Sequence, residues 1–211
     1  MSREHILYRV RTALGRSSGQ PASAPPAARI PVPRMDLEER ISTMLCRVEA
    51  LAGKPRHARG LEEARAFVAE AMEHKTAVAS NAPFLAECGI TSLPGVRSGI
   101  ANRDELRDRC AVADVGITSA DYALADSGTL VMIASPSEAR VISLLPPEHI
   151  AIVPGDRILT GLEELFTLIP YPAGRTSSMV LITGPSRTAD IEQILVRGVH
   201  GPGRLTVVVV G

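Results

Sequence analysis

Short, continuous runs of apolar residues recur through the second two thirds of the chain. Such runs, which lack polar alternation, are typical of strands buried on both faces. The predicted strands are residues 76–79, 112–117, 128–134, 150–153, 179–182 and 205–210. The predicted helices are residues 36–52, 60–75, 104–109, 162–168 and 188–197. Their order predicts an α/β fold with a mainly parallel sheet flanked by helices.

One part of the chain departs from this alternation of strands and helices. Residues 112–153 hold three or four strand candidates with little helix between them. Parallel neighbours need long crossover connections, whereas antiparallel neighbours need only short turns. We therefore expect a local antiparallel or mixed portion here.

The N-terminal part of the chain is predicted to be separate from the main domain. Residues 1–16 carry an amphipathic helix, and residues 17–35 are rich in proline without apolar periodicity, which indicates a flexible linker. The α/β domain is predicted over residues 36–211. It opens with a capping box, because Asp36 is followed three residues later by Glu39.

Charge and composition exclude several classes of protein. The 23 basic and 23 acidic residues give no net charge, so no basic field for nucleic acid is evident. No apolar stretch approaches the roughly 20 residues of a membrane span. The N-terminus lacks the apolar core of a signal peptide, and we expect a cytoplasmic protein.

The cysteines and histidines do not predict a metal centre. The three cysteines are widely spaced, with no CxxC pair and no iron–sulfur run, and are expected to be free thiols. The five histidines show no metal-ligand spacing. We therefore expect no cofactor bound directly by this chain. If the protein takes part in electron transfer, its metal centres lie on a partner.

The segment 184–192 is the first candidate for binding chemistry. It is predicted to join a strand that ends near residue 183 to a helix that begins near Thr188. A loop at the carboxyl end of a strand, leading into a helix N-terminus, suits a carboxylate or phosphate. The ligand-binding candidates are Ser186, Arg187, Thr188 and Asp190. Alternatively, Thr188 or Asp190 only caps the helix.

A second candidate is the glycine-rich stretch 198–204 around His200. Glycines let the backbone approach a ligand closely, and histidine suits proton transfer near neutral pH. His200 is therefore a candidate catalytic residue. The alternative is a helix C-cap at Gly198 followed by a tight turn.

Carboxylates and hydroxyls also cluster around the predicted strand at 128–134. Before that strand lie Asp121, Asp126 and Ser127, and Thr129 lies at its start; they could orient a hydroxy acid or a sugar, or form an Asx turn and a helix cap.

Glu138 and Arg140 follow the same strand in the sequence and are the best acid and base pair by position. We take Asp121 and Glu138 as candidate catalytic residues, and Asp126, Ser127, Thr129 and Arg140 as candidate ligand contacts. His149 directly precedes a buried strand and is interpreted as a structural histidine.

Four stretches together resemble the LUD-domain family, and within it the lactate-utilisation protein C branch. They occur in the family's order and are DYALADSGT at 121–129, SLLPPEHI at 143–150, GPSRTADIE at 184–192 and GVHGP at 198–202. The N-terminal helix and the proline-rich linker also resemble that branch. One departure is Ser127, which stands where the family has threonine but keeps the hydroxyl.

The resemblance implies a Rossmann-like fold similar to the sugar-phosphate isomerase and CoA-transferase superfamily. It also implies membership of a three-component system that oxidises L-lactate to pyruvate, in which the two partner subunits carry iron–sulfur clusters. This chain would be the cluster-free subunit. The family offers no settled catalytic residues, so the motif positions remain candidate contacts.

Two other functions remain open from the sequence. The chain could be a stand-alone enzyme of the isomerase or CoA-transferase kind, with Glu138 or Asp121 as base or nucleophile. Its substrate would then be a phosphorylated sugar or an acyl thioester. It could also be an assembly or regulatory module that binds partners through its N-terminal helix.

Overall fold

The computed structural model describes residues 2–17, 19–20, 33–189 and 195–211, with the backbone alone at residues 189, 195 and 196. The chain divides into two compact units, residues 1–31 and 32–211. In the first unit, Ser2 caps helix α1 (Arg3–Ala13) by accepting a hydrogen bond from the His5 N–H. Most of the predicted linker falls outside the described residues.

The second unit alternates strands and helices, as the apolar runs predict. Its helices are α2 (Leu37–Ala50), α3 (Leu61–Ala71), α4 (Pro83–Glu87), α5 (Arg103–Val112), α6 (Val141–Leu144) and α7 (Leu162–Leu168). Its strands are β1 (Lys54–Ala58), β2 (Ala77–Ala79), β3 (Val96–Arg97), β4 (Val115–Ser119), β5 (Tyr122–Leu124), β6 (Thr129–Ile133), β7 (Glu148–Pro154), β8 (Ile158–Leu159), β9 (Met179–Thr183), β10 (Arg187–Ala189), β11 (Leu195–Arg197) and β12 (Arg204–Val210).

A six-stranded parallel sheet forms the centre of this unit, with the strand order β1-β12-β7-β4-β2-β3. Helices α3 and α4 pack on one face of the sheet. Helix α2 and a second sheet pack on the other face. Both faces are therefore covered, which is why residues 115–117 of β4 and 150–153 of β7 are continuous apolar runs. The predicted α/β class, with a mainly parallel sheet flanked by helices, is confirmed.

The second sheet has four strands in the order β8-β5-β6-β9. Strand β6 is antiparallel to both β5 and β9, whereas β5 and β8 are parallel. This sheet is the mixed portion expected between residues 112 and 153. It also takes β9, so the loop after β9 does not lie at the carboxyl end of a parallel strand.

The helix predicted over residues 188–197 is wrong. Strands β10 and β11 form an antiparallel pair there, with Thr188 opposite Val196, while residues 190–194 lie outside the described set. Thr188 and Val196 are β-branched residue types, which favour strands over helices. The anion site predicted at residues 184–192 depended partly on a helix N-terminus at Thr188. Thr188 lies in a strand, so that helix N-terminus is absent.

The strand predicted from residue 112 begins later than expected. Helix α5 continues to Val112, whose side chain is 77% exposed, and β4 begins only at Val115. The sequence pattern alone does not show whether an apolar residue such as Val112 ends a helix or begins a buried strand.

No helix in the described ranges is both long and apolar enough to cross a membrane.

Candidate functional site

The parallel sheet has a topological switch point between β2 and β4. The chain leaves β2 towards β3 on one side, and leaves β4 towards β7 on the other. In open α/β sheets, ligands bind in the crevice outside the carboxyl ends of the strands at such a point. Ser80 follows β2 and Ser119 ends β4, so both lie at this edge.

Glu138 lies in this crevice and is only 6% exposed. Its Oε2 accepts hydrogen bonds from the Ser80 hydroxyl (2.7 Å) and from the Ser119 N–H (3.4 Å). The Ser135 hydroxyl accepts a bond from the Glu138 N–H at 3.0 Å, which fixes the turn that carries the side chain. Among the described residues, its Oε1 has no hydrogen-bond partner. A buried polar atom without a partner calls for an explanation, and a ligand is one.

Burial raises the pKa of Glu138 to about 8, with a smaller contribution from the nearby negative charge of Asp121. The hydrogen bonds from Ser80 and Ser119 oppose this shift without overcoming it. An acid with a pKa near the working pH exchanges protons most effectively. Glu138 is therefore suited to general acid–base chemistry.

Asp121 lines the same cavity as Glu138, which has a volume of about 390 Å³. Its Oδ2 accepts a hydrogen bond from the Ile133 N–H at 2.7 Å. Burial raises the pKa of Asp121, and the charge of Arg157 partly opposes the shift. The guanidinium of Arg157 also lies 5.7 Å from the centre of the Tyr122 ring. The structure thus brings two predicted catalytic residues together.

A larger cavity of about 840 Å³ borders Glu138 on its other side, and arginines line it. Arg140, a predicted ligand contact, donates to the Ser178 hydroxyl at 3.4 Å. Arg103 and Arg107 join it from successive turns of α5. Sequence reasoning missed these two arginines, although their spacing of four on one helix was a readable signal. The cavity combines positive charge with a buried carboxyl group, which suits a small anion.

Ser186, Arg187 and His200 lie at a different place, beside the amino end of the parallel sheet. They line a third cavity of about 400 Å³, together with His149 at the start of β7. We call it the His149 cavity. Three of the four stretches that carry the family resemblance meet here, namely those at 143–150, 184–192 and 198–202.

The imidazole of His149 is 1% exposed. Its Nε2 lies 2.8 Å from the Thr118 hydroxyl oxygen. Burial lowers the pKa of His149 to about 4, so the ring is neutral at neutral pH. Its Nδ1 has no hydrogen-bond partner within the described ranges.

Of the other predicted ligand contacts, those within the described residues line none of these three cavities. The Thr129 hydroxyl lies inside the second sheet and forms hydrogen bonds with the hydroxyls of Ser127 (2.9 Å) and Thr183 (2.8 Å). Asp126 and Ser127 form the turn between β5 and β6. Thr188 pairs with Val196 in β10 and β11, and Asp190 lies outside the described residues.

The turn at residues 126–128 requires glycine at position 128. Gly128 has a φ of +66°, and a Cβ placed on it would lie 3.1 Å from the Arg47 backbone carbon of α2. The turn therefore packs directly on that helix.

The described residues hold no group of three or more His, Cys, Asp or Glu side chains arranged to bind a metal ion. Burial raises the pKa of the Cys88 and Cys110 thiols to about 11. Both thiols are therefore protonated at neutral pH and are weak nucleophiles. Cys46 is exposed.

Glu138 and His149 are buried groups with large pKa shifts, and they predict how stability depends on pH. Glu138 has a raised pKa, so its contribution is complete below about pH 4.5 and is lost as the pH rises through about 8. His149 has a lowered pKa, so its contribution is complete above about pH 6.5 and is lost as the pH falls through about 4.

Of these two contributions, that of Glu138 changes between about pH 6.5 and 8, whereas that of His149 stays constant. We expect the melting temperature to fall over this interval, and the Glu138→Gln variant to lose most of that fall. Thermal unfolding of both proteins in a pH series checks this. An equal decline in the two proteins would show that another group is responsible.

A central parallel sheet flanked by helices, a second mixed sheet and a crevice with a buried carboxyl group at the switch point define a Rossmann-like α/β protein. The chain belongs to the LUD-domain family, in the branch whose members are named lactate utilization protein C, and the sequence model of the LUD domain matches residues 34–210.

Curated relatives support this assignment. The lactate utilization protein C of Halalkalibacterium halodurans is 35% identical over 158 residues, which cover 71% of this chain and 69% of that protein. The protein of the same name from an Exiguobacterium species is 44% identical over 49% of this chain and 47% of its own length. The one from Shouchella clausii is 40% identical over 52% and 50%. The chain thus spans about half the length of several curated relatives that it matches.

A solved structure shares the fold. The crystal structure of a DUF162 family protein from Deinococcus radiodurans superposes with a TM-score of 0.64 at 21% identity. The match covers 84% of this chain and 100% of that one. At this level of identity, the likeness concerns the fold alone.

Proposed function

We propose that this chain works in lactate utilisation, as the cluster-free subunit of an iron–sulfur system that oxidises L-lactate to pyruvate. The relatives named lactate utilization protein C support this process. The crevice at the switch point supports a role in binding a small hydroxy acid and moving its proton.

The observation that carries the proposal is Glu138, a buried carboxyl group with a free oxygen beside a positively charged cavity. A lactate carboxylate would pair with Arg140, because arginine binds carboxylates through charge-assisted hydrogen bonds. The lactate hydroxyl would then lie against Glu138, which takes its proton. Positioned proton transfer of this kind contributes roughly 10²–10⁴-fold to a rate.

Oxidation of lactate to pyruvate releases two protons and two electrons. Glu138 takes the hydroxyl proton, and the proton of the broken Cα–H bond passes to water or to a base on a partner subunit as the two electrons leave. The proposal assigns these electrons to iron–sulfur clusters on partner subunits, because the described residues offer no group of side chains arranged to bind a metal ion. The larger cavity exceeds what one lactate molecule fills, which leaves room for a group from a partner.

Deletion of the gene in its own organism tests the proposed process. We expect growth on L-lactate to be lost and growth on pyruvate to be kept, with growth on lactate restored by the wild-type chain. The Glu138→Gln variant is tested in the same complementation experiment. Glu73→Gln, which changes an exposed carboxylate, is its matched control. Normal growth of the deletion strain on lactate would contradict the proposal.

A second candidate is a stand-alone enzyme of the isomerase or CoA-transferase kind. Glu138 supports this second candidate. Its buried carboxyl group borders both the 390 Å³ and the 840 Å³ cavities and could act as base or as nucleophile. The arginines of the larger cavity would equally suit phosphate groups. Turnover of phosphosugars or acyl-CoA thioesters by the isolated chain would favour this candidate over the first.

A further inference from the structure

The His149 cavity lies at the amino end of the parallel sheet, and Glu138 does not line it. Two loops that are joined by backbone hydrogen bonds form part of its wall. The Ser186 N–H donates to the Pro202 carbonyl (2.8 Å), and the Gly198 N–H donates to the Ser186 carbonyl (3.1 Å). The fold itself therefore builds this space.

His149 forms the buried end of the cavity, because its imidazole is 1% exposed. Its Nε2 lies 2.8 Å from the hydroxyl of Thr118, a residue that does not line the cavity. Since Thr118 takes up the Nε2 side of the ring, Nδ1 is the ring nitrogen that remains for a bond to anything inside the cavity.

The hydrogen bonds around the ring assign its proton to Nδ1. The Thr118 hydroxyl has two possible acceptors, the His149 Nε2 at 2.8 Å and the Met132 sulfur at 4.0 Å. The nitrogen is the far better acceptor, so the ring accepts at Nε2 and carries its hydrogen at Nδ1. That buried N–H has no partner among the described residues. An unpaired buried donor is unfavourable, and an acceptor oxygen from a ligand removes the penalty.

The other hydroxyl groups deep in the lining already have partners. The Ser143 hydroxyl donates to the Arg140 carbonyl at 3.0 Å, and the Thr183 hydroxyl lies 2.8 Å from that of Thr129. A carboxylate at this depth would lose its hydration and would need several donors in exchange. One neutral N–H instead suits a single neutral oxygen, such as that of a ketone.

Positive charge lies at the other end of the cavity, in contact with solvent. Arg187 is exposed, and its guanidinium donates to the Leu51 carbonyl, which holds it across the end of α2. The remaining guanidinium N–H groups and the nearby Ser186 hydroxyl are available to a ligand. A carboxylate fits this mouth, because it gains charge-assisted hydrogen bonds there while water still reaches it.

A ligand that spans both ends must also cover apolar surface. Leu51, Leu144, Val180 and Ile182 line the same cavity. Because His149 is buried and Arg187 is exposed, the neutral oxygen and the carboxylate of the ligand must be apart. A short hydrocarbon chain between them would contact the apolar lining.

We propose that the His149 cavity binds an oxo acid whose ketone and carboxylate are separated by a short hydrocarbon chain. The ketone oxygen accepts from the His149 Nδ1–H, and the chain lies against Leu51 and Ile182. The carboxylate lies at the mouth with Arg187. The site does not involve Glu138, so it stands or falls independently of the proposed function.

Calorimetric titration of the full chain with 4-oxopentanoate and pentanoate tests the buried contact. The two ligands have the same chain length and differ in the ketone alone. We expect 4-oxopentanoate to bind roughly three- to tenfold more tightly, because it gives the buried N–H a partner. We expect 2-oxopentanoate, whose ketone adjoins the carboxylate, to bind no more tightly than pentanoate.

Arg187→Gln tests the mouth of the site. It should weaken 4-oxopentanoate and pentanoate equally, by roughly threefold or more, because both lose the same exposed charge-assisted contact. Arg56→Gln is the matched control, since Arg56 is also an exposed strand arginine that donates to a backbone carbonyl. Arg56→Gln and Glu138→Gln should both bind 4-oxopentanoate as the wild type does.

Nuclear magnetic resonance of the histidine nitrogens reads the buried end without any substitution. The free protein should show His149 with its proton on Nδ1. Saturation with 4-oxopentanoate should shift this Nδ1–H signal more than saturation with pentanoate does. The signals of His57, which does not line the cavity, should stay unchanged.

Four results would overturn the proposal. The first is the absence of measurable 4-oxopentanoate binding, and the second is equal affinity for 4-oxopentanoate and pentanoate. The third is a His149 ring that carries its proton on Nε2. The fourth is 4-oxopentanoate binding that Glu138→Gln abolishes and Arg187→Gln leaves unchanged, because the ligand would then lie in the switch-point crevice.

Discussion

Replacing Glu138 by Gln is expected to lower lactate-dependent electron transfer roughly 100-fold or more in the system reconstituted with its partners. Glutamine keeps the size of the side chain and an oxygen that accepts from Ser80 and Ser119, but it cannot take a proton. The fold should therefore remain intact, and the loss should appear in kcat. Steady-state rates of lactate-dependent dye reduction measure it.

The control for this variant is Glu73→Gln, which changes a carboxylate whose side chain is 77% exposed. It should keep the wild-type rate. If Glu138→Gln also kept the rate, the buried carboxyl group would have no part in the chemistry, and its free oxygen would need another explanation.

Replacing Gly116 by Val is expected to have the largest effect on stability. A Cβ at Gly116 would lie 1.9 Å from the Ile142 carbonyl oxygen, so neither β4 nor α6 could keep its place. Backbone atoms cannot move aside as a flexible side chain can. We expect the melting temperature to fall by at least about 10 °C, or the protein to be insoluble, because such steric conflicts exceed about 4 kcal/mol.

Gly174→Val is the matched control, because no atom lies within 4 Å of a Cβ placed there. Thermal unfolding of this variant should follow the wild type within a few degrees. A Gly116→Val protein that melted like the wild type would show that α6 lies farther from β4 than described.

Much of the central sheet was predictable because buried parallel strands lack alternation. The runs that became β4, β7 and β12 are apolar except for Asp114 and Thr206, and both faces of these strands are covered. Strand β1 was missed because Lys54–Ala58 is largely exposed at the sheet edge and has no apolar run. Strand β8, with two residues, is too short to show any period.

The candidate crevice was predictable only in part. Asp121 and Glu138 stood out because polar residues follow apolar runs there. Ser80, Arg103 and Arg157 come from other elements, and only the order of strands in the sheet brings them to the same edge. Spacing along the chain carries no information about that order.

The Arg187 loop shows the opposite case. Its sequence suggests a strand, a loop and a helix at the carboxyl edge of a parallel sheet. The strand before it, β9, pairs with β6 in the second sheet, and β10 follows in place of the helix. Arg187 and His200 nevertheless line the same cavity, the His149 cavity. It lies at the amino end of the parallel strands, whereas Glu138 lies at their carboxyl end.

Affinity purification of the tagged chain from its own cells, grown on L-lactate, tests the central claim most directly. The account predicts that iron–sulfur proteins co-purify with it and that the eluate reduces a dye in the presence of lactate. A solitary protein, with no lactate-dependent reduction in the eluate or in the remaining lysate, would contradict it.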